Sequence, residues 1–288
     1  MNWKPIGLEM KNEYPPYDGD ICMLKFPTVF LYKDNFKREY AIYKDVFVLK
    51  GEFSDGQKFF SFPNGEKSEN LEECAKAIFE EYGKETYFAP LEEECATRLE
   101  KAFPDGKSEL KENMCEYIYS AENLRDLPGK KYHNKRNHVA KFDKLYDGNY
   151  EYISINEKNL PILEEAVKVL YEKDERDFSE EKKPVQNSLE NFAALGISAG
   201  VLKVGNDYAA YAIGSGKDSR MCDVHFEKAD RSYEGSYAKL NILFSSNDTG
   251  NCEYINREED LGLEGLRKAK QSYYPVCQSK VFAFSFDT

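Results

Sequence analysis

Apolar positions along this chain switch between a two-residue and a three-to-four-residue spacing, the periods of strand and helix. The run 20–32 is mainly apolar and 41–50 reads as strand, and glycines at 51 and 56 turn the chain into a second strand at 58–62. Ser68 stands where a helix cap is expected, ahead of the stripe Leu71, Ala75, Ile78, Phe79 and Tyr82 that Gly83 ends. A second helix is expected after Pro90, with Leu91, Cys95, Leu99 and Phe103 as its core face. A strand at 115–119 leads through Ser120, a candidate cap, to a short helix. The Pro128-Gly129 break then opens another helix, on which Tyr132, Val139, Phe142 and Leu145 share one face.

The remainder repeats this kind of order. Asp147-Gly148-Asn149 makes a turn, 150–155 a strand, and Asn156 is the expected cap of a helix carrying Leu160, Leu163, Val167 and Leu170. The run 173–183, dense in both charges, reads as a solvated loop, and helix 185–195 ends at Gly196. Strands 200–204 and 208–213 flank Gly205-Asn206-Asp207, a hairpin signal. Strand 221–227, helix 235–245, strand 252–256, helix 263–271 and a closing strand 280–286 follow. This order predicts an α/β (α+β) protein with helices packed on mixed, mostly antiparallel sheets, divided near Asp147 into 1–146 and 147–288. No residue-level repeat joins the halves.

A length of 288 residues suffices for two cores of ordinary size. No apolar run approaches the roughly eighteen residues of a membrane span, and Met1-Asn-Trp-Lys-Pro5 has no apolar signal core, so a cytoplasmic protein is expected. A net charge of −12 repels nucleic-acid backbone and anionic lipid except where basic residues gather. The seven cysteines are scattered without metal-knuckle spacing and are expected as free, mostly buried thiols.

Charge gathers in one place. Lys130, Lys131, Lys135, Arg136 and Lys141, with His133 and His138, reverse the local sign, and Lys131, Lys135 and His138 form a helical stripe. Such a stripe at a helix start either holds an anion or is a solvated linker. In 221–228, strand parity sets Cys222, Val224 and Phe226 against Asp223, His225 and Glu227. The polar face lines a cleft, with His225 or Glu227 as general base, or lies open to solvent on an edge strand. Gly235, at a strand-to-helix turn after Asp230, either presents N–H groups to phosphate or belongs to an ordinary turn. Arg257, Glu258, Glu259 and Asp260 are followed by Arg267, Lys268 and Lys270, a set that binds a zwitterion or forms a salt-bridge network. On that last helix Leu263, Leu266 and Ala269 are expected inward and Arg267 and Lys270 opposite. No Ser-His-Asp motif, Walker loop, GxGxxG or HExxH is present.

Four segments carry a family resemblance: Leu127-Pro-Gly-Lys-Lys-Tyr-His-Asn-Lys-Arg-Asn-His-Val139, Val224-His-Phe-Glu-Lys-Ala-Asp230, Glu234-Gly-Ser-Tyr237 with Asn241, and Tyr254-Ile-Asn-Arg-Glu-Glu-Asp-Leu-Gly262 through Leu266-Arg-Lys-Ala-Lys-Gln-Ser-Tyr-Tyr-Pro275. The chain resembles, along essentially its whole length, bacterial stand-alone relatives of the phosphatidylglycerol lysyltransferase C-terminal domain. The resemblance implies two tandem GNAT-like (acyl-CoA N-acyltransferase-like) domains, as in the Fem peptidyltransferases, the first ending in a basic linking helix at 129–145. It also implies aminoacyl or acyl transfer from aminoacyl-tRNA or acyl-CoA to an amine or hydroxyl; the alternative is a binding module for a small zwitterion or a tRNA acceptor end. The family's basic helix, acidic segment and lysine before a proline-ended aromatic motif match 130–141, 227–230 and 270–275.

The expected catalytic residues are His225, Glu227 and Lys270. Lys131, His133, Lys135, Arg136, Asp230, Gly235, Asn256, Arg257, Glu258, Asp260, Arg267 and Tyr273 are the expected donor- and substrate-binding residues. No metal site, resident cofactor or duplex DNA partner is expected, whereas tRNA is a candidate partner.

Overall fold

The computed structural model of the chain describes residues 1–174 and 179–286. From the N-terminus the regular elements are β1 (Lys4–Pro5), α1 (Phe26–Leu31), β2 (Glu39–Tyr43), β3 (Val46–Glu52), β4 (Lys58–Ser61), α2 (Leu71–Tyr82), β5 (Tyr87–Leu91), α3 (Glu93–Ala102) and β6 (Gly106–Leu110). There follow β7 (Tyr117–Ser120), α4 (Ala121–Asp126), α5 (His133–Tyr146), β8 (Tyr150–Ile155), α6 (Leu160–Glu172), α7 (Ser179–Glu190), α8 (Phe192–Leu195), β9 (Ile197–Val204) and β10 (Asp207–Ser215). The last are β11 (Met221–Ala229), α9 (Ser236–Asn247), β12 (Tyr254–Asn256), α10 (Glu264–Gln271), β13 (Cys277–Gln278) and β14 (Phe282–Phe286).

These elements form two compact units. The first comprises Met1–Glu116, Glu259–Leu263 and Gln278–Thr288, the second Tyr117–Glu258 and Glu264–Cys277. The first sheet runs β1-β2-β3-β4-β5-β14-β6, the second β13-β7-β12-β11-β10-β9-β8. Each holds a parallel pair, β4 with β5 and β11 with β12, within a mostly antiparallel arrangement. Beyond each parallel pair sits a strand from elsewhere in the chain: β14 lies between β5 and β6, and β7 between β12 and β13. The duplication that element order suggested is thus visible as one strand plan used twice.

In the first unit, Val46, Val48, Phe60, Phe88 and Phe284 on the sheet pack against Leu71, Cys74, Ala75 and Ile78 of α2 and Cys95, Ala96 and Leu99 of α3. The second core gathers Tyr117, Tyr119, Leu202, Ala210, Cys222, Val224, Leu240, Phe244 and Ile255, closed by Tyr132 and Phe142 at either end of the basic segment. The basic helix α5 therefore belongs to the second unit, and the units do not divide at Asp147.

Several local expectations change. The stretch 41–50 is two strands, because Lys44 takes a left-handed turn (φ 53°) between β2 and β3. Pro90 lies within β5, and the helix begins only at Glu93. Asn70 and Asn159, not Ser68 and Asn156, occupy the caps of α2 and α6, while Ser120 does cap α4, accepting from the Asn123 N–H. Of the charged run, 175–178 lies outside the described residues and Ser179 onward is helix α7, so those five residues are not a loop. Leu145 is 53% exposed; Tyr132 and Phe142 are buried in the core and Val139 packs against it half-buried. All seven cysteines are free and six are buried.

Phe142→Ala is expected to destabilise the protein by about 3–5 kcal/mol. Leu145→Ala, on the same sequence stripe, should change stability by less than about 0.5 kcal/mol, and thermal unfolding of the two variants distinguishes them.

Candidate functional site

Strands β11 and β12 are hydrogen-bonded in parallel only over Met221–Asp223 and Tyr254–Asn256. Past that point β11 continues to Ala229, while the segment after β12 turns at Arg257 and at Glu258, whose φ of 59° is left-handed. Strand parity is as expected: Cys222 and Val224 enter the core, and His225 and Glu227 face the opening. β11 lies between β10 and β12 in the sheet, but beyond Asp223 it pairs with β10 alone, so His225 and Glu227 stand beside the gap left where β12 parts.

Lys270 holds the turn. Its ammonium donates to the carbonyls of Arg257 (2.5 Å) and Glu258 (3.0 Å), and only 9% of the residue is exposed. Helix α10 is therefore turned opposite to the expectation, with Lys270 inward and Leu263 and Ala269 exposed. Two charge-assisted bonds, one to the Arg257 carbonyl and one to the Glu258 carbonyl that also accepts the Tyr117 N–H (3.1 Å), outweigh the burial of an alanine. The hydroxyl of Tyr119 donates to the Lys270 carbonyl (2.8 Å), and that of Tyr132 to the Tyr273 carbonyl (3.0 Å), tying β7 and the start of α5 to the same corner.

Arg257, so placed, donates through Nε (3.1 Å) and Nη2 to one carboxylate oxygen of Glu227. Its guanidinium lies 5.0 Å from the Tyr273 ring centre and 5.8 Å from that of Tyr119, and its buried Nη1 has no acceptor among the described residues. Burial opposes the charge on Arg257, but Glu227 outweighs it and the net shift of the guanidinium pKa is upward. Lys135 comes from α5, its Nζ 3.8 Å from the Tyr273 ring centre. Burial and then the Arg257 charge lower its ammonium from the ordinary 10.5 to about 8. The Tyr273 hydroxyl is pushed up to about 12, chiefly by burial.

Alongside, Lys130, Lys131, His133, Asn134, Arg136 and Tyr274 line an open depression of about 650 Å³. The Lys131 ammonium sits 5.4 Å from the Tyr274 ring centre. Arg136 donates to the carbonyls of Leu127 (2.5 Å) and Gly129 (2.7 Å), so it secures the Pro128-Gly129 turn as well as adding charge.

The His225 imidazole bridges Ser215 Oγ (2.8 Å from Nε2) and Glu258 Oε1 (2.8 Å from Nδ1). This buried serine–histidine–carboxylate relay went unnoticed in the sequence because its members are far apart. A β-bulge between Ile213 and Gly214 accompanies it, and Gly214-Ser215-Gly216 ending an apolar strand was the available signal. Tyr119, Asn134 and Tyr274 were likewise missed.

The second unit thus brings together Lys131, His133, Lys135, Arg136, His225, Glu227, Arg257, Glu258, Lys270 and Tyr273. Asn256 supports the turn, its Oδ1 accepting the Glu258 N–H (2.8 Å). Asp230 instead bonds Lys173 (3.0 Å) and the Ser232 N–H (2.9 Å). Arg267 is half-buried on α10, and Asp260 belongs to the first unit, where it accepts the Gly262 N–H (2.8 Å). Gly235 has a φ of 86°, and a Cβ there would stand 2.5 Å from the His138 carbonyl oxygen. Its lack of a side chain thus serves the close approach of α5.

Two mostly antiparallel seven-stranded sheets flanked by helices, with one strand plan repeated, define the tandem GNAT-like class of folds. The chain belongs to the family described as phosphatidylglycerol lysyltransferase, C-terminal, whose model matches residues 22–284. A conserved protein of unknown function from Bacteroides thetaiotaomicron is similar at 28% identity and a TM-score of 0.84, over 99% of both chains. L-PGS from Bacillus licheniformis shares the fold at 13% identity and a TM-score of 0.65, over 99% of this chain and 93% of that one. FemX does so at 10% identity and 0.62, over 100% and 98%. A search of curated proteins finds no match.

Arg257→Gln is expected to cost on the order of 3 kcal/mol by stranding Glu227, and adding Glu227→Gln should recover much of it; a double-mutant cycle in thermal unfolding measures this. Because the folded-state pKa of Lys135 is depressed, the unfolded chain binds more protons between about pH 8 and 10.5. Wild type should therefore gain stability relative to Lys135→Met as pH rises through that window, and the gap should be constant below it.

Proposed function

We propose that this protein transfers an acyl or aminoacyl group from a phosphate-containing donor, an aminoacyl-tRNA or an acyl-CoA, to an amine or hydroxyl acceptor. Family membership and fold support the reaction class. The observation that carries the reading is the meeting of Lys135, Arg257, Glu227 and Tyr273 where β11 and β12 part, beside the basic depression.

In this reading the donor's phosphates lie along Lys130, Lys131 and His133, and its acyl carbonyl reaches inward toward Tyr273. Attack by the acceptor places negative charge on the carbonyl oxygen, and the Arg257 N–H groups left without acceptors offset it. Glu227 keeps the guanidinium charged and aimed, and Lys270 acts through the backbone turn that carries Arg257. Asp230, Gly235, Arg267 and Asp260 serve structure and not donor binding. Among the described residues no helix is long and apolar enough to cross a membrane, and we read the protein as cytoplasmic, where both donor classes occur.

A second reading, a binding module for a zwitterion or a tRNA acceptor end, is favoured by one fact: Glu227 and His225 are both already engaged by protein partners. Transfer assays with labelled aminoacyl-tRNA and acyl-CoA, over a panel of amine and hydroxyl acceptors, decide between them. Turnover that falls at least about a hundredfold in Arg257→Gln supports catalysis, whereas binding without turnover supports the module. For a tRNA donor, affinity should fall steeply with salt, and Lys130→Ala with Lys131→Ala should each reduce the log–log slope by roughly 0.7–0.9. Absence of both binding and turnover overturns the proposal.

A further inference from the structure

We propose that the Lys135 amine is the base that takes the proton from the attacking acceptor. This rests on the transferase reading and replaces Glu227 and His225 in that role. The other candidate groups are engaged, Glu227 through one of its two carboxylate oxygens. Both Glu227–Arg257 bonds converge on one carboxylate oxygen, and each His225 nitrogen has a partner, Ser215 or Glu258. Lys270 is fixed as a donor to two carbonyls, and the Tyr119 hydroxyl donates to a third. The Tyr273 hydroxyl is pushed up to about 12, too weak an acid to be ionised near neutrality.

Lys135 differs from all of these. Its half-buried ammonium lies on the Tyr273 ring and has neither a hydrogen-bond acceptor nor an ion-pair partner among the described residues. The groups around it are Arg257, with its Glu227, from the turn after β12; Tyr273 and Tyr274 from beyond α10; and Lys131 and His138 on its own helical segment. Five of these are neutral or cationic, and the one carboxylate is bound to Arg257. Burial and Arg257 accordingly lower Lys135 to about 8, so that a useful fraction is neutral at physiological pH.

The step balances. The acceptor N–H or O–H forms its bond to the acyl carbon as its proton passes to the neutral Lys135 amine. Collapse of the tetrahedral species breaks the bond to the leaving oxygen or sulfur, which takes the proton from the Lys135 ammonium. The lysine is neutral again, with no covalent enzyme intermediate.

Two measurements on the intact protein test this. Trace labelling with 1-fluoro-2,4-dinitrobenzene, read by peptide mass spectrometry, should give a Lys135 midpoint near pH 8, well below that of a lysine-containing model peptide. In transfer assays kcat/KM should rise tenfold per pH unit up to about 8 and then level, and Lys135→Arg should lose at least a hundredfold in turnover while donor affinity stays within about threefold. A labelling midpoint equal to the model peptide's overturns the assignment, even where no donor and acceptor turn over. So does turnover that survives Lys135→Arg. A midpoint near 8 without turnover from any donor overturns the transferase reading, and the proton's route with it.

Discussion

The second unit's chemistry depends on an ammonium group placed against bare backbone. Where β12 ends, the Glu258 carbonyl still accepts the Tyr117 N–H of β7 (3.1 Å), and Lys270 donates to it and to the Arg257 carbonyl. Buried carbonyls without partners each cost about 1–3 kcal/mol, and bonds from a charged donor are among the stronger ones in proteins. That gain holds a non-glycine residue, Glu258, in left-handed backbone. From the corner so fixed, Arg257 is aimed at Glu227 and Glu258 at His225. The lysine nearest the opening, Lys135, is then left facing an arginine whose counter-charge is already committed.

This arrangement shows how an acidic protein can carry a local cluster of positive charge. The net charge of −12 is spread over the chain, whereas Lys130, Lys131, His133 and Arg136 share one depression with the Tyr274 ring. Aromatic faces at Tyr273 and Tyr274 give the ammonium groups of Lys135 and Lys131 a partner that does not neutralise them. Carboxylates in their place would have cancelled the local field. The glycine before α9 contributes through packing, since the α5 backbone fills the space a side chain would need.

Much of this was legible in the sequence. Strand parity around His225 and Glu227, the basic segment and the hairpin at Gly205 follow from local rules of spacing and turn chemistry. The failures share one cause, which is that distant residues decide them. Helix α10 shows an apolar stripe, yet Lys270 turns inward, where carbonyls thirteen and twelve positions away accept from its ammonium. Leu145 fits the period of Phe142, but Tyr146, one position on, packs against the core and Leu145 stays exposed. Ser215 joins His225 across neighbouring strands at a bulge, which no linear motif records. The placement of β7 and β14 was unreadable for the same reason, since a strand's sequence does not name its neighbour.

That last placement bears on how the protein is made. Residues 282–286 fill the gap between β5 and β6, so the first sheet stays open until the second unit, which precedes them in the chain, has been made. Throughout synthesis of the second unit, the nascent chain carries two unsatisfied strand edges beside a phenylalanine-rich interior. Its vulnerability to misassembly is therefore greatest during translation, and the final strand acts as the clasp that ends it.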